Sequence, residues 1–157
     1  MPTRKRNRKK KACPFPIRRC SPFARSLSGI KDDPIAVWSI AKEEFNKAEE
    51  AGREDRHDLR RRQAAEKAYL ALVSAAAHAA RQEFKGFVQE KKAVDRIASK
   101  MKDPGFSQEY RDLRQALHGN CFHRGVCGTT EALRENIGLV RVFIDRLLRY
   151  RSKGKRR

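Results

Sequence analysis

The chain has no long apolar run. Its longest weakly polar stretch, Ala64 to Ala80, is broken by Glu66, Lys67 and His78, which leaves it short of the roughly 18 uninterrupted apolar residues a membrane span needs. The start, MPTRKRNRKKK, is basic but no apolar segment follows it, which argues against a cleaved secretory signal. Cysteine is scarce, at four in 157 residues, and in a chain without such a signal the simplest expectation is reduced thiols and a cytoplasmic location. Acidic residues are missing from both ends: residues 1–30 hold ten Lys and Arg and no acid, and residues 146–157 hold seven and no acid. Strand-like alternation is missing too, so helix is the regular structure to expect.

What the chain does have is positive charge. It carries 38 Lys and Arg against 19 Asp and Glu, a formal net charge of +19. The ends account for +17 of this, so residues 31–145, with 21 basic and 19 acidic side chains, carry only +2. The length suits one compact domain and leaves no room for a second full core. The expected organisation is a basic, Pro-containing arm over 1–31, a helical domain over 32–148 and a basic tail over 149–157. The arm alternates basic runs with Pro2, Pro14, Pro16 and Pro22, and reads as extended or disordered.

Helical punctuation begins at Asp32-Asp33-Pro34, where an Asp cap precedes a Pro at the first helical position. Trp38, Ala41, Phe45 and Ala48 then give an apolar stripe, and a helix over 34–51 is expected. A longer helix is expected over 56–85, where Ala64, Ala65, Ala68, Leu72, Ala75, Ala76 and Ala79 repeat at helical spacing and small side chains allow close approach. A third, from Phe87 or Val88 to Met101, ends at Asp103-Pro104-Gly105. Ser107 is placed to cap a fourth, ending near Leu117. The stretch Gly119 to Gly128 reads as a Gly-rich loop, and Thr129 or Thr130 opens a last helix with Leu133, Ile137, Val140, Ile144 and Leu147 as its core face. The fold class expected is all-α, an antiparallel bundle of four to five helices with basic N- and C-terminal extensions.

The segment that carries most chemistry is Tyr110-Arg111-Asp112-Leu113-Arg114-Gln115-Ala116-Leu117-His118-Gly119-Asn120. Arg111, Arg114 and His118 are spaced three and four apart, so they can share one side of a helix. A histidine can move the proton of a 2′-hydroxyl or a leaving group while guanidinium groups balance charge on a phosphorane. The same arginines could anchor a phosphate without chemistry. The plainer alternative is a helix-terminal histidine favoured by the dipole, beside two solvated arginines.

The helix order, the segment Gln63-Ala64-Ala65-Glu66-Lys67-Ala68-Tyr69-Leu70-Ala71 and the Leu117-His118-Gly119 element before a final amphipathic helix resemble the HEPN superfamily, closest to its small prokaryotic branches. The resemblance spans roughly residues 34–148. It implies a four- or five-helix bundle, often dimeric, and in many members a metal-independent ribonuclease with an Arg, four to six residues, then a His. Arg111 and His118 fit that spacing, whereas Arg114 and His118 are one residue too close. It further implies a possible antitoxin protein as partner, and no cofactor.

The cysteines allow one further reading. Cys121, His123 and Cys127 offer three zinc ligands in one loop, and a tetrahedral site would need Cys13 or Cys20 from the arm as the fourth. Unligated thiols are the stronger expectation, and a disulfide stays open.

The two cationic ends point to a polyanion. The arm contributes Arg4, Lys5, Arg6, Arg8, Lys9, Lys10, Lys11, Arg18 and Arg19, and the other end Arg149, Arg151, Lys153, Lys155, Arg156 and Arg157. Each phosphate such residues neutralise releases counterions. Solvated tails, an anionic membrane surface and an Arg-rich transit peptide are the alternatives. Two functions remain from different classes. One is a nucleic-acid-binding helical protein, RNA favoured over DNA, that grips phosphates with both ends. The other is a HEPN-type ribonuclease using His118 with Arg111 or Arg114.

Overall fold

Residues 33–51 and 56–153 are described by the structure, a computed structural model. They form α1 (Pro34–Glu50), α2 (Arg56–Ala80), α3 (Phe87–Met101), α4 (Phe106–Arg114), a π-helical segment (Gln115–His123) and α5 (Thr130–Lys153), with no strand among the described residues. The fold is an all-α bundle, as expected.

The N-terminus of α1 forms for the reason its sequence suggests. Asp33 Oδ1 accepts hydrogen bonds from the Ile35 and Ala36 amides at 2.9 and 3.3 Å, and Pro34 occupies the first turn, where its missing N–H costs nothing. The buried stripe is Val37, Ala41, Phe45 and Ala48. Trp38 sits at its flank, half-buried, with Nε1 donating to the Ile137 carbonyl at 2.8 Å. Thr129 opens α5 in the same way as Asp33 opens α1, its hydroxyl accepting from the Ala132 amide at 3.1 Å.

Three boundaries differ from expectation. α2 stops at Ala80 instead of running to 85, because Arg81 turns into the left-handed region at φ 56° and the Arg81 and Gln82 amides close onto the His78 and Ala77 carbonyls. Lys102 ends α3 in the same conformation, also at φ 56°. A glycine would normally mark such a stop, and neither position has one. The fourth helix, in turn, starts on Phe106. Ser107 is buried inside its first turn, and no side chain caps Gly105. The helical backbone then continues through Gly119 to His123, so the expected loop is confined to its second half.

Side-chain contacts give the directions. Arg134, early in α5, pairs with Glu49 at the end of α1 at 2.7 Å, while Trp38 at the start of α1 meets Ile137 and Arg141. α1 therefore runs antiparallel to α5. Arg61, early in α2, donates to the Gly128 carbonyl at 2.8 Å, and Arg151 at the far end of α5 donates to His78 Nδ1 at 2.7 Å, so α2 and α5 run the same way. The short helices between them provide the return.

The core has two textures. Along α2, Ala64, Ala65, Ala68, Ala71, Ala75 and Ala76 are all fully buried and let neighbouring backbones approach closely. Volume comes from the other side, where Phe106, Tyr110 and Phe143 pack with ring centroids 5.0 and 6.3 Å apart.

Candidate polar site around His118

The π-helical winding decides what His118 touches. An α-helix rotates a side chain five residues on by about 140° from the first, whereas the wider i→i+5 turn of a π-helix brings the two much closer to one face. His118 Nε2 and His123 Nε2 are accordingly 3.0 Å apart. Gln115 Nε2 donates to Asn120 Oδ1 at 3.1 Å by the same five-residue step. Gly119 lies beneath this pair, and a Cβ there would meet the Gln115 amide nitrogen at 2.6 Å.

On its other side His118 Nδ1 lies 2.9 Å from Glu66 Oε2 of α2. The two side chains are equally sheltered, at 21 % and 20 % exposure, whereas His123 is exposed. Partners fix the tautomers when Glu66 is ionised and both rings are neutral. His118 then donates from Nδ1 to Glu66 and accepts at Nε2 from His123, which leaves His123 Nδ1 as the open end of the chain. The Tyr69 ring stacks on His118, with centroids 4.2 Å apart and planes at 26°.

Beneath this lies a buried carboxylate. Glu90, 3 % exposed, accepts from the Tyr69 hydroxyl at 3.3 Å and the Tyr110 hydroxyl at 3.0 Å, with Arg114 Nε 3.6 Å away. Desolvation pushes the Glu90 carboxyl above its usual range, against the pull of Tyr110, Arg114, Tyr69 and His118. Tyr69 is pushed up to about 12 by burial and by Glu90, and fully buried Tyr110 rises for the same two reasons. The Arg114 guanidinium lies over the Phe87 ring at 4.0 Å and the Tyr69 ring at 5.6 Å.

The structure therefore brings Arg114 and His118 together around Tyr69 and places Arg111 elsewhere. Arg111 donates to Asp95 at 3.1 Å and to Gln108 at 3.0 Å. Sequence reasoning missed Glu66, Glu90 and the role of His123. The available signal was that Asp58 and Glu66 are the only acids in α2. Arg124, next to His123, is exposed and makes no ion pair with a described residue.

The expectation of free thiols fails here. Cys121 and Cys127 are joined by a disulfide, so those two sulfurs are not available as zinc thiolates, and the cysteines no longer argue for a reducing compartment. The reason is local. The helical backbone ends at His123, and Gly125 and Gly128, at φ 71° and 69°, fold the following loop back so that Cys127 reaches Cys121. Among the described residues no group of three or more His, Cys, Asp and Glu is arranged to hold a metal ion. Cys13 and Cys20 lie outside the described residues.

Of the expected phosphate-binding residues, Arg149 and Arg151 stand on the last turns of α5. Arg149 Nε donates to the Asp145 carbonyl at 3.2 Å. Lys153 ends that helix. Arg4, Lys5, Arg6, Arg8, Lys9, Lys10, Lys11, Arg18, Arg19, Lys155, Arg156 and Arg157 lie outside the described residues. No helix among the described residues is long and apolar enough to cross a membrane. Compared with protein-family models, curated proteins and solved structures, the chain matches none.

Proposed function

We propose that this protein binds nucleic acid, RNA in preference to DNA, with its two cationic ends seated on phosphates. The observation that carries this reading is the partition of charge: +17 of the net +19 lies in residues 1–30 and 146–157. Phosphate contacts of that kind give affinity with little sequence preference and a steep dependence on salt. The test is a salt titration of the full chain on a single-stranded RNA. A steep linear fall of log K with log salt is expected, and affinity that stays flat would remove the reading.

A second reading, cleavage of the bound RNA without metal, has its own support in the Glu66–His118–His123 chain. His123 Nδ1 takes the proton of a 2′-hydroxyl, and His123 passes its Nε2 proton to His118. The imidazolium so formed rests against Glu66. The 2′-oxygen attacks the adjacent phosphorus, the bond to the 5′-oxygen breaks, and the proton returns along the chain to that oxygen, leaving a 2′,3′-cyclic phosphate. On this reading the exposed Arg124, next in the chain to His123, meets the phosphate, and Arg114 balances Glu90 behind the site. The HEPN resemblance supports this reading, together with a dimer and an antitoxin as partners. Metal-free cleavage by wild type that survives unchanged in His118→Ala would end it.

A further inference from the structure

The C-terminal ends of α2, α3 and α5 enclose a cleft of about 1000 Å³, at the upper end of the roughly 300–1,000 Å³ usual for ligand pockets. Its rim is cationic throughout. Arg81 comes from the end of α2, Arg96 and Lys100 from α3, and Arg146, Arg149 and Arg151 from α5, and no acidic residue lines it. Its floor is apolar, built from Ala79, Ala80, Ala93, Ile97 and Met101, with Tyr150 at one side.

The six cations fall into two kinds. Arg146, Arg149 and Arg151 are held in place. Arg146 pairs with Asp103 and Glu109 and lies 4.7 and 5.1 Å over the Phe106 and Phe143 rings. Arg149 is tied to the Asp145 carbonyl, and Arg151 to His78. Arg81, Arg96 and Lys100 make no ion pair with a described residue; Arg96 spends only its Nε, on the Lys92 carbonyl. These three carry unanswered charge at the mouth of an apolar cleft.

From this juxtaposition we infer that the cleft is a binding site for single-stranded nucleic acid, with phosphates on Arg81, Arg96 and Lys100 and bases against Tyr150, Met101 and Ile97. The inference rests on the nucleic-acid reading above and gives it a location in the helical body. Charge complementarity selects a polyanion, and the apolar floor selects one whose bases are free to enter. A duplex offers the same phosphates but keeps its base faces stacked away from such a floor. The cleft also opens beside the last described turns of α5, from which the remaining basic residues of the chain continue.

The experiment uses the full chain and a fluorescent oligouridine of about 12 nucleotides, within the usual site size for such grooves. Wild type is compared with Arg81→Gln/Arg96→Gln/Lys100→Gln over a salt series, and with a duplex of equal length. Folding is checked by circular dichroism, and 4-thiouridine crosslinking to wild type supplies a readout that does not depend on the variant. The expected result is a salt slope shallower by about two in the triple variant, since each single-strand phosphate contact contributes about 0.7. Crosslinks are expected in peptides carrying Met101 or Tyr150, with the single strand preferred over the duplex. RNA binding by wild type with an unchanged slope in the folded variant, or crosslinks confined to residues 1–31, would overturn the cleft and leave the parent reading standing. No RNA binding by wild type overturns both, and binding of anionic vesicles in its place, lost in the triple variant, would assign the cleft to lipid headgroups.

Discussion

The two polar regions of this protein handle charge in opposite ways. Around His118 the sheltered acids are answered from within: Glu66 by His118, and Glu90 by two tyrosine hydroxyls and the nearby Arg114. At the far ends of α2, α3 and α5, Arg81, Arg96 and Lys100 have no acidic partner among the described residues. A cluster that satisfies itself is stiff and suited to holding a proton at a stated atom. A cleft whose charges are unanswered is suited to receiving a partner that brings the opposite charge. A nearly neutral body, summed over its sequence, thus conceals one region organised inward and one organised outward.

Breaking the inward region at its centre has the largest expected effect. On the cleavage reading, His118→Ala lowers the metal-free rate by about 10²- to 10⁴-fold, the usual share of a general acid or base, and His123→Ala does nearly as much. A gel assay in the presence of a chelator measures both. An active His123→Ala beside a dead His118→Ala would show that the π-helical alignment of the two rings is idle.

Removing Arg114 should be felt as stability. Arg114→Ala leaves Glu90 buried without its cation, at a cost of about 2 kcal/mol at neutral pH, less than the roughly 3–5 usual for a broken buried pair because the carboxyl can take up a proton. The sign with pH follows from its raised pKa. Between its unfolded value and the higher folded one, the native state binds more protons, so the stability Glu90 gains from protonation is present at low pH and lost as pH rises through the folded value. The deficit of Arg114→Ala therefore shrinks on acidification. Urea melts at pH 5 and pH 7 check it, and a deficit that grows in acid would contradict the assignment.

Reducing the Cys121–Cys127 bond is the next largest effect. Releasing so short a loop costs about 2 kcal/mol on the chain-entropy estimate, read as a lower unfolding midpoint with reductant than without. Cys121→Ser/Cys127→Ser should match the reduced wild type and no longer respond to reductant. The smallest effect belongs to Arg111, whose pair with Asp95 is partly exposed, at 35 % and 44 %. Arg111→Ala should cost no more than about 0.5 kcal/mol, and its cleavage rate should stay close to wild type. A loss comparable to His118→Ala would restore the Arg111–His118 motif as the working unit.

Much of the fold was legible because it is written in local chemistry. Asp33-Pro34 and Thr129 mark helix starts by hydrogen bonds a side chain makes to its own backbone, and Leu133 to Leu147 repeat at the period of the face they bury. The stop at Arg81 was not legible, because a bulky residue takes up a conformation that glycine would have announced, whereas the stop at Met101 was marked by Asp103-Pro104-Gly105 even though Lys102 adopts the same conformation. The candidate site was half legible for a related reason. A period of 3.6 links Arg114 to His118 but sets His123 on another face, and only the π-helical step reveals the pair. Glu66 and Glu90 are 52 and 20 positions away from the residues they serve, a separation no local pattern reports. The cleft was hidden in a different way: Arg81, Arg96 and Lys100 were counted within a sum that came to +2, and Arg146, Arg149 and Arg151 within the basic end.

The comparison of the two regions reduces to one measurement, the affinity of a single-stranded RNA for wild type, His118→Ala and Arg81→Gln/Arg96→Gln/Lys100→Gln, all under chelator at one moderate salt concentration. If the unanswered cations hold the strand, His118→Ala keeps its Kd within about twofold while the cleft variant weakens by about tenfold or more. If instead the cleft variant binds like wild type and His118→Ala does not, the strand is held at the inward cluster, and the division of labour drawn here is wrong.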